Sequence, residues 1–268
     1  MAQNTNCETC PAHNIQNLKK LGIDMANFNY VIALAGNPNT GKSTVFNNLT
    51  GLRQHTGNWP GKTVSRAEGG FAYNDSRYKL VDLPGTYSLL STSTDEQVAR
   101  DFILFGQPDV TIIVVDATRL ERNLNLVLQV LEITDRAVLC LNLMDEVRRY
   151  KLKIDVRALS RDLGIPVVPA EARQKVGMPE LLNYVDQVAK GVYKCKAYRF
   201  KNLPANVENA VNKISAQLSE SYPNIPNSRW VALRLLEGDQ SIIDAVTSGD
   251  LGKIIQSEMG KEPILVQE

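Results

Sequence analysis

The chain has 268 residues, 43% of them hydrophobic and 22% charged, with a formal net charge of +1. That balance belongs to an ordinary globular protein, one large domain or a domain with a smaller partner, and it excludes bulk electrostatic attraction to nucleic acid. No apolar run approaches the roughly 18 residues a membrane helix requires, and the N-terminus lacks the basic start and apolar core of a signal peptide.

Four cysteines, Cys7, Cys10, Cys140 and Cys195, show no disulfide framework, so a reducing cytoplasm is the expected compartment. Residues 1–27 form a polar leader. Within it Cys7-Glu8-Thr9-Cys10-Pro11-Ala12-His13 offers at most three soft-metal ligands. With no second C-x-x-C to close a structural zinc site, a mobile leader with free thiols is the plainer reading.

Next comes a strand-sized apolar run, 30–35, then Gly36-Asn37-Pro38-Asn39-Thr40-Gly41-Lys42-Ser43, then helical spacing from Ser43 and Thr44 to residue 49. The pattern G-x-x-x-x-G-K-S between a strand and a helix makes an anion cradle. Loop N–H groups and the helix dipole face phosphate oxygens, Lys42 reaches the β- and γ-phosphates, and the Ser43 hydroxyl takes one position on Mg²⁺.

Residues 54–64, with Gly57, Trp59, Pro60, Gly61 and Thr63, contain too many breakers for a helix or a central strand and are expected to be a mobile loop. Strands at 68–74 and 77–83 follow as a hairpin turning at 74–76, and the second delivers Asp82 and then Gly85. Thr94 with Gln97 three residues on predicts a capped helix to about 105. The β-branched run 110–116 is a buried parallel strand. After it come a helix over 120–134, a strand over 137–141 carrying Asn142 and Asp145 at its end, a helix over 156–163, a strand over 165–168 and a helix over 179–190. Strand and helix alternate, so the sheet is mostly parallel. Beyond about 191–203 only helical segments remain: 207–218, 230–236, 242–248 and 251–259.

Four features thus share one sheet edge in the order a guanine-nucleotide switch requires. The 36–43 loop holds phosphates, Thr63 adds a second hydroxyl to Mg²⁺, Asp82 holds Mg²⁺ through water, and the Gly85 N–H meets the γ-phosphate. Asp145 accepts from guanine N1–H and its exocyclic amine, a donor pair adenine lacks. The expected fold is α/β of the P-loop GTPase type, a central sheet flanked by helices over 28–195, with a small all-helical subdomain over 196–268.

Taken together, the phosphate loop, Asn58-Trp59-Pro60-Gly61-Lys62-Thr63, Asp82-Leu83-Pro84-Gly85-Thr86-Tyr87-Ser88-Leu89 and Asn142-Leu143-Met144-Asp145 resemble the cytoplasmic G domain of the ferrous iron transport protein B family. The match covers about 30–191, and the helical tail resembles that family's helical subdomain. The resemblance implies GTP and GDP as ligands, Mg²⁺, and a soluble portion at the cytoplasmic membrane face that signals to the transporter region of the same full-length protein. It also implies K⁺ held by Asn39 and by the carbonyls of Gly57 and Trp59, where other enzymes place an arginine finger. Homo-oligomerisation stays open at this stage.

Thr86 stands where Ras-type enzymes carry a glutamine, so intrinsic hydrolysis is expected to be slow. Asn142-Leu143-Met144-Asp145 lacks the usual second-position lysine, which implies weaker nucleotide retention. In the base-capping stretch Ala170-Glu171-Ala172-Arg173, Ala172 offers its N–H to guanine O6, whereas Glu171 brings an unfavourable charge unless it points away. Two other readings stand beside the transport one. The first is a free-standing, potassium-dependent cytosolic GTPase of the ribosome-assembly type, although 200–262 shows no basic run for RNA. The second is a nucleotide-gated binding module that barely hydrolyses.

Overall fold

The structure, a computed structural model, describes residues 15–51, 54–90, 93–200, 203–223 and 225–247. The expected Cys7–Cys10–His13 cluster and the helix over 251–259 lie outside the described residues. The chain divides into two compact units, Met1–Asn202 and Leu203–Glu268, a division that falls later than the expected 195/196.

A short helix, α1 (Ile15–Lys20), opens the first unit. It lies within the stretch expected to be leader, yet Leu18 and Ile23 are buried and Asn17 Nδ2 donates to the Phe105 carbonyl at 3.0 Å. Residues 15–27 are therefore packed onto the domain. The apolar residues Ile15, Leu18, Leu21 and Ile23 span too short a run before Gly22 and Asp24 interrupt it to give a clear periodic signal.

Strand β1 (Tyr30–Gly36) is buried at every residue and leads through the glycine loop into α2 (Lys42–Thr50). The strands that follow are β2 (Gln54–Asn58), β3 (Ser65–Tyr73) and β4 (Ser76–Asp82). Next come α3 (Thr94–Gly106), β5 (Val110–Asp116), α4 (Leu120–Ile133), β6 (Ala137–Asn142) and α5 (Met144–Arg149). The unit closes with α6 (Val156–Leu163), β7 (Val167–Pro169) and α7 (Met178–Ala189). All seven strands form one sheet in the order β2-β3-β4-β1-β5-β6-β7. From β4 to β7 the pairing is parallel, while β3 runs antiparallel to β4 and β2 antiparallel to β3.

Both faces of the central strands are covered, so those strands read as continuous apolar runs without alternation. On one face α2 and α7 bury Phe46, Leu181 and Val185 against Ile32, Leu34, Leu80, Ile112 and Val114. The opposite face packs on α3 and α4. Register sets the function of this sheet. Leu34 lies beside Asp82, Gly36 beside Val114, Asp116 beside Asn142, and Leu141 beside Pro169. The carboxyl ends of β4, β1, β5, β6 and β7 therefore meet at one edge, where open α/β sheets hold ligands.

Two expectations need correction. Residues 54–58 are not a loop but the edge strand β2, paired from Gln54↔Gly69 to Asn58↔Ser65. Gly57 is tolerated there because an edge strand needs only one partner and its exposed side asks for no packing. The cap of α3 is Ser93, whose Oγ accepts from Glu96 N at 3.2 Å, not Thr94. In addition, β7 starts two residues later than expected, and α5, a short helix with little periodicity, is new.

Residues 191–200, a polar connector by sequence, pack within the first unit. Lys196 N donates to Gly164 O and Tyr198 N to Leu163 O, each at 2.9 Å. Cys195 is half-buried and its thiol is pushed up to about 11 by burial. The second unit comprises α8 (Ala205–Ser221), α9 (Ser228–Leu236) and α10 (Gln240–Thr247). Val211, Leu218, Trp230, Val231 and Ile242 are buried within it. Arg229 forms a forked pair with Glu208 at 2.9 and 3.2 Å, and Asn227 caps α9 by accepting from Trp230 N at 3.0 Å. Among the described residues no helix is long and apolar enough to cross a membrane.

At the sheet edge opposite the carboxyl ends, the Tyr78 hydroxyl donates to Asp186, which also accepts from Asn74 Nδ2 at 3.0 Å and Lys190 at 2.7 Å. Burial pushes the Asp186 carboxyl up, but the bonds from Lys190, Tyr78 and Asn74 outweigh it and hold its pKa below the ordinary value. Asp186→Ala should cost about 1–3 kcal/mol by leaving the buried Tyr78 hydroxyl unpaired. A depressed carboxyl pKa stabilises fully above the unfolded value and less as pH falls through the folded one. The urea-melt difference between the two proteins should therefore hold at pH 7 and shrink below about pH 4.

Candidate functional site

The phosphate loop takes its shape from its neighbours. A Cβ on Gly36 would lie 2.5 Å from the Val114 carbonyl of β5. Asn39 sits in the left-handed region at φ 65° and Gly41 at φ 84°, which turns the chain into α2. Thr40 is buried and its Oγ1 donates to Asn37 O at 2.9 Å. A Cβ on Gly41 would lie 2.3 Å from Asn142 Nδ2, so glycine is required by both conformation and space.

Asn142, at the end of β6, joins the two halves of the site. Its Nδ2 donates to Thr40 O and its Oδ1 accepts from Ala172 N, both at 2.9 Å. Asn48 of α2 adds a third tie by donating to Ala172 O at 2.5 Å. Sequence reasoning placed Asn142 and Ala172 in the site but missed Asn48, for which a helical asparagine gives no signal. Leu143 takes φ 65° to cap α5, a costly conformation for a branched side chain. Met144 N donates to Ala170 O at 3.2 Å, and Asp145 at the start of α5 is half-buried with Gln174 Nε2 3.4 Å from its Oδ2.

Glu171 points away from this centre. Its carboxylate accepts from Arg148 at 2.7 Å, and its N–H and carbonyl pair with Val176 at 3.1 and 3.2 Å. The charge that looked unfavourable in sequence is thus neutralised by a helix that sequence reasoning missed.

On the β4 side Lys42 donates to the Asp82 carboxylate and, at 2.7 Å, to Leu83 O. Burial pushes the Asp82 carboxyl up despite the Lys42 ammonium beside it. Thr86 is buried and its N–H reaches Gly36 O at 3.3 Å, while Gly85 lies against Pro38. Ser43 and Thr44 are exposed at the start of α2. Ser43 and Asp82 supply hard oxygens of the kind Mg²⁺ takes.

The remaining candidates are not brought together with these. Gly57 lies in β2, three inter-strand steps from β1 and so on the order of 14 Å away at usual spacing. Trp59 O accepts from Lys62 N and Trp59 N donates to Val64 O, both at 3.0 Å. Its ring is buried against Phe102 at 5.5 Å, with Arg66 over it at 5.4 Å. Gly61 and Thr63 are exposed on this turn. In this arrangement Asn39 therefore stands apart from the other two residues assigned to K⁺, and Thr63 has not joined Ser43.

Comparison with known proteins places this geometry. The pattern described as "Ferrous iron transport protein B" matches residues 30–185, and that described as "FeoB cytosolic helical domain" matches 204–261. The Fe(2+) transporter FeoB of Salmonella typhimurium is 42% identical over 221 residues, covering 78% of this chain and 27% of that protein. The chain therefore spans about a quarter of the length of the curated relatives it matches. The cytosolic domain of L. pneumophila FeoB is similar at TM-score 0.74 and 34% identity, over 85% of this chain and 90% of that one. The cytosolic domain of T. maritima FeoB in a GMPPNP form is similar at TM-score 0.73 and 35% identity, over 87% and 88%.

The Asn142 junction can be broken from its far side. Gly41→Ala forces an alanine into the left-handed region, at about 1–2 kcal/mol, and drives a methyl into the Asn142 amide. Stability should fall by about that amount, and affinity for fluorescent GDP should fall by at least ~10-fold, since 1.4 kcal/mol of misalignment suffices for that. Unchanged affinity would show that the junction does not align the site.

Proposed function

This chain belongs to the ferrous iron transport protein B family, and we propose that it is the GTP-binding and GTP-hydrolysing portion of a longer Fe(II) transporter, acting at the cytoplasmic face of the membrane. The observation that carries this reading is the Asn142 carboxamide, which holds the phosphate loop and the base loop together with Asp145 beside it. That arrangement suits a guanine nucleotide. Asp145 would accept from the two guanine donors, the Ala172 N–H, here donated to Asn142 Oδ1, would have to leave that bond to meet guanine O6, and the 36–43 loop would take the phosphates. A T. maritima relative solved with GMPPNP supports the same ligand class.

Hydrolysis requires rearrangement of what the structure holds. Lys42, now on Asp82, would transfer to the β- and γ-phosphates. Mg²⁺, arriving with the nucleotide, would be held by Ser43, by Thr63 once its turn closes, and by Asp82 through water, and it would neutralise phosphate charge. K⁺ would be held by Asn39 with the carbonyls of Gly57 and Trp59 after the same closure, at the place of an arginine finger. Thr86 cannot orient water as a glutamine does, so the unassisted rate is slow and the Gly85 N–H carries the contact to the γ-phosphate. The segments 54–65 and 85–99 would then report nucleotide state to the transport region.

Multiple-turnover phosphate release tests this. GTP should be turned over and ATP not, with K⁺ faster than Na⁺ by roughly 10²-fold, the scale of one lost transition-state contact. Asn39→Ala should erase the K⁺ advantage, and any loss of GDP affinity from an alanine at φ 65° should be the same in both salts. Equal rates in both salts would refute the K⁺ assignment. Asp145→Ala should weaken GTP binding by at least ~10²-fold, as two charge-assisted hydrogen bonds at about 1.5–3 kcal/mol each are lost. Retained GTP selectivity in that variant would refute the base assignment.

A further inference from the structure

A cavity of about 250 Å³ lies on the flank of the phosphate loop that faces β5 and α4, away from the flank that carries Lys42 and Asp82. It is lined by Asn37 and its loop neighbours, by Tyr87, and by Asp116, Arg119, Arg122 and Asn123. The polar groups in its wall divide into two sets. Asp116 accepts at Oδ1 from Thr118 N at 2.8 Å and from Thr118 Oγ1 at 2.7 Å. Asn123 donates to Arg119 O at 2.8 Å and accepts from Asp116 N at 3.4 Å.

The second set is unsatisfied. Asn37 is 2% exposed, and both its carboxamide nitrogen and oxygen are buried without a hydrogen-bond partner. An amide left so costs about 1–3 kcal/mol, a debt that a structure normally settles with a partner or a bound species. Among the described residues the Arg119 and Arg122 guanidiniums have no carboxylate partner. Arg122 lies over the Tyr87 ring at 4.5 Å. Two guanidiniums against one capped carboxylate leave the cavity locally cationic, and it is far larger than the roughly 10–15 Å³ that a single water needs.

We propose that this cavity is a second oxyanion site, distinct from the nucleotide's, which takes a small tetrahedral anion of the phosphate class. Guanidinium forks match such oxygens. Its wall includes Pro38, Asn39 and Thr40 of the phosphate loop and Tyr87, two residues beyond Gly85. An anion held there is therefore coupled through shared residues to the nucleotide's surroundings. The phosphate released by hydrolysis is the natural occupant, a point that rests on the GTPase reading. The site itself does not.

Titration of the full chain with inorganic phosphate, followed by ³¹P NMR or calorimetry, tests it. With the chain saturated by GMPPNP, so that the γ-position is filled, one phosphate should bind with Kd on the order of 1 mM. Sulfate should displace it, and sodium chloride at equal ionic strength should not. Arg119→Ala and Arg122→Ala, both exposed and outside the nucleotide machinery, should each weaken binding about 10-fold or more. In the nucleotide-free chain Lys42→Ala should leave phosphate binding intact. Absence of binding, binding unaffected by both arginine changes, or binding abolished by GMPPNP or by Lys42→Ala would overturn the proposal. Phosphate binding without GTP turnover would keep the site and remove the GTPase reading. Turnover without phosphate binding would do the reverse.

Discussion

Everything at the functional edge depends on one carboxamide. Asn142 spans from Thr40 O to Ala172 N, 2.9 Å each way, and it can do so because β6 brings it level with Asp116 of β5, one strand beyond the β1 that feeds the phosphate loop. The junction requires glycine at position 41, since any Cβ there would collide with the amide. It also fixes the base loop from beneath, with Gly177 held at φ 78° where a Cβ would lie 2.2 Å from Pro169 O. The parallel register of five strands therefore acts through a single buried side chain. An aspartate there could accept from Ala172 but not donate to Thr40, and an alanine could do neither.

The Lys42–Asp82 pair is the second constraint, and it works through charge. Asp82 is mostly buried, and its carboxyl is pushed up even with an ammonium in contact. Desolvation thus exceeds the gain from the pair, as is common for buried ion pairs. A lysine held against a costly carboxylate is readily exchanged for phosphate oxygens, where it faces more negative charge. In the proposed nucleotide complex that exchange would free Asp82 for hydrated Mg²⁺. The pair keeps both groups placed while nothing else compensates them.

How much of this was legible in the sequence follows from the length scale of each signal. The glycine loop, Asp82, Asn142 and Asp145 were readable because local chemistry fixes their spacing, and the central strands because burial on both faces leaves unbroken apolar runs. The edge strand β2 was not: its hydrogen bonds lie entirely with β3, and its glycine and polar residues suit a one-sided edge that no periodicity announces. Helix α5 was missed because six residues carry too little pattern, and with it went Arg148, the partner that neutralises Glu171. Unpaired Asn37 could not be foreseen either. In sequence it is a loop asparagine, and its burial arises only once the chain is folded.

The position of β2 sets the energy scale of the proposed switch. If Gly57 and Trp59 are to meet Asn39, the edge strand must leave β3 and Trp59 must give up its place against Phe102. Burying an indole removes about 150–250 Å² from water, worth roughly 4–6 kcal/mol at about 25 cal/mol per Å², which by itself would hold the segment back. The Trp59 indole nitrogen, however, is buried without a hydrogen-bond partner, at a cost of about 1–3 kcal/mol. The unpaired indole N–H offsets part of that burial, and edge-strand pairing adds to what restrains the segment. In the proposed switch a γ-phosphate with its cations would have to supply the remainder through Thr63 and the Gly57 and Trp59 carbonyls, and a ligand shifts such an equilibrium by no more than its differential affinity. A Trp59 that is buried yet incompletely satisfied would lower the cost of that proposed movement.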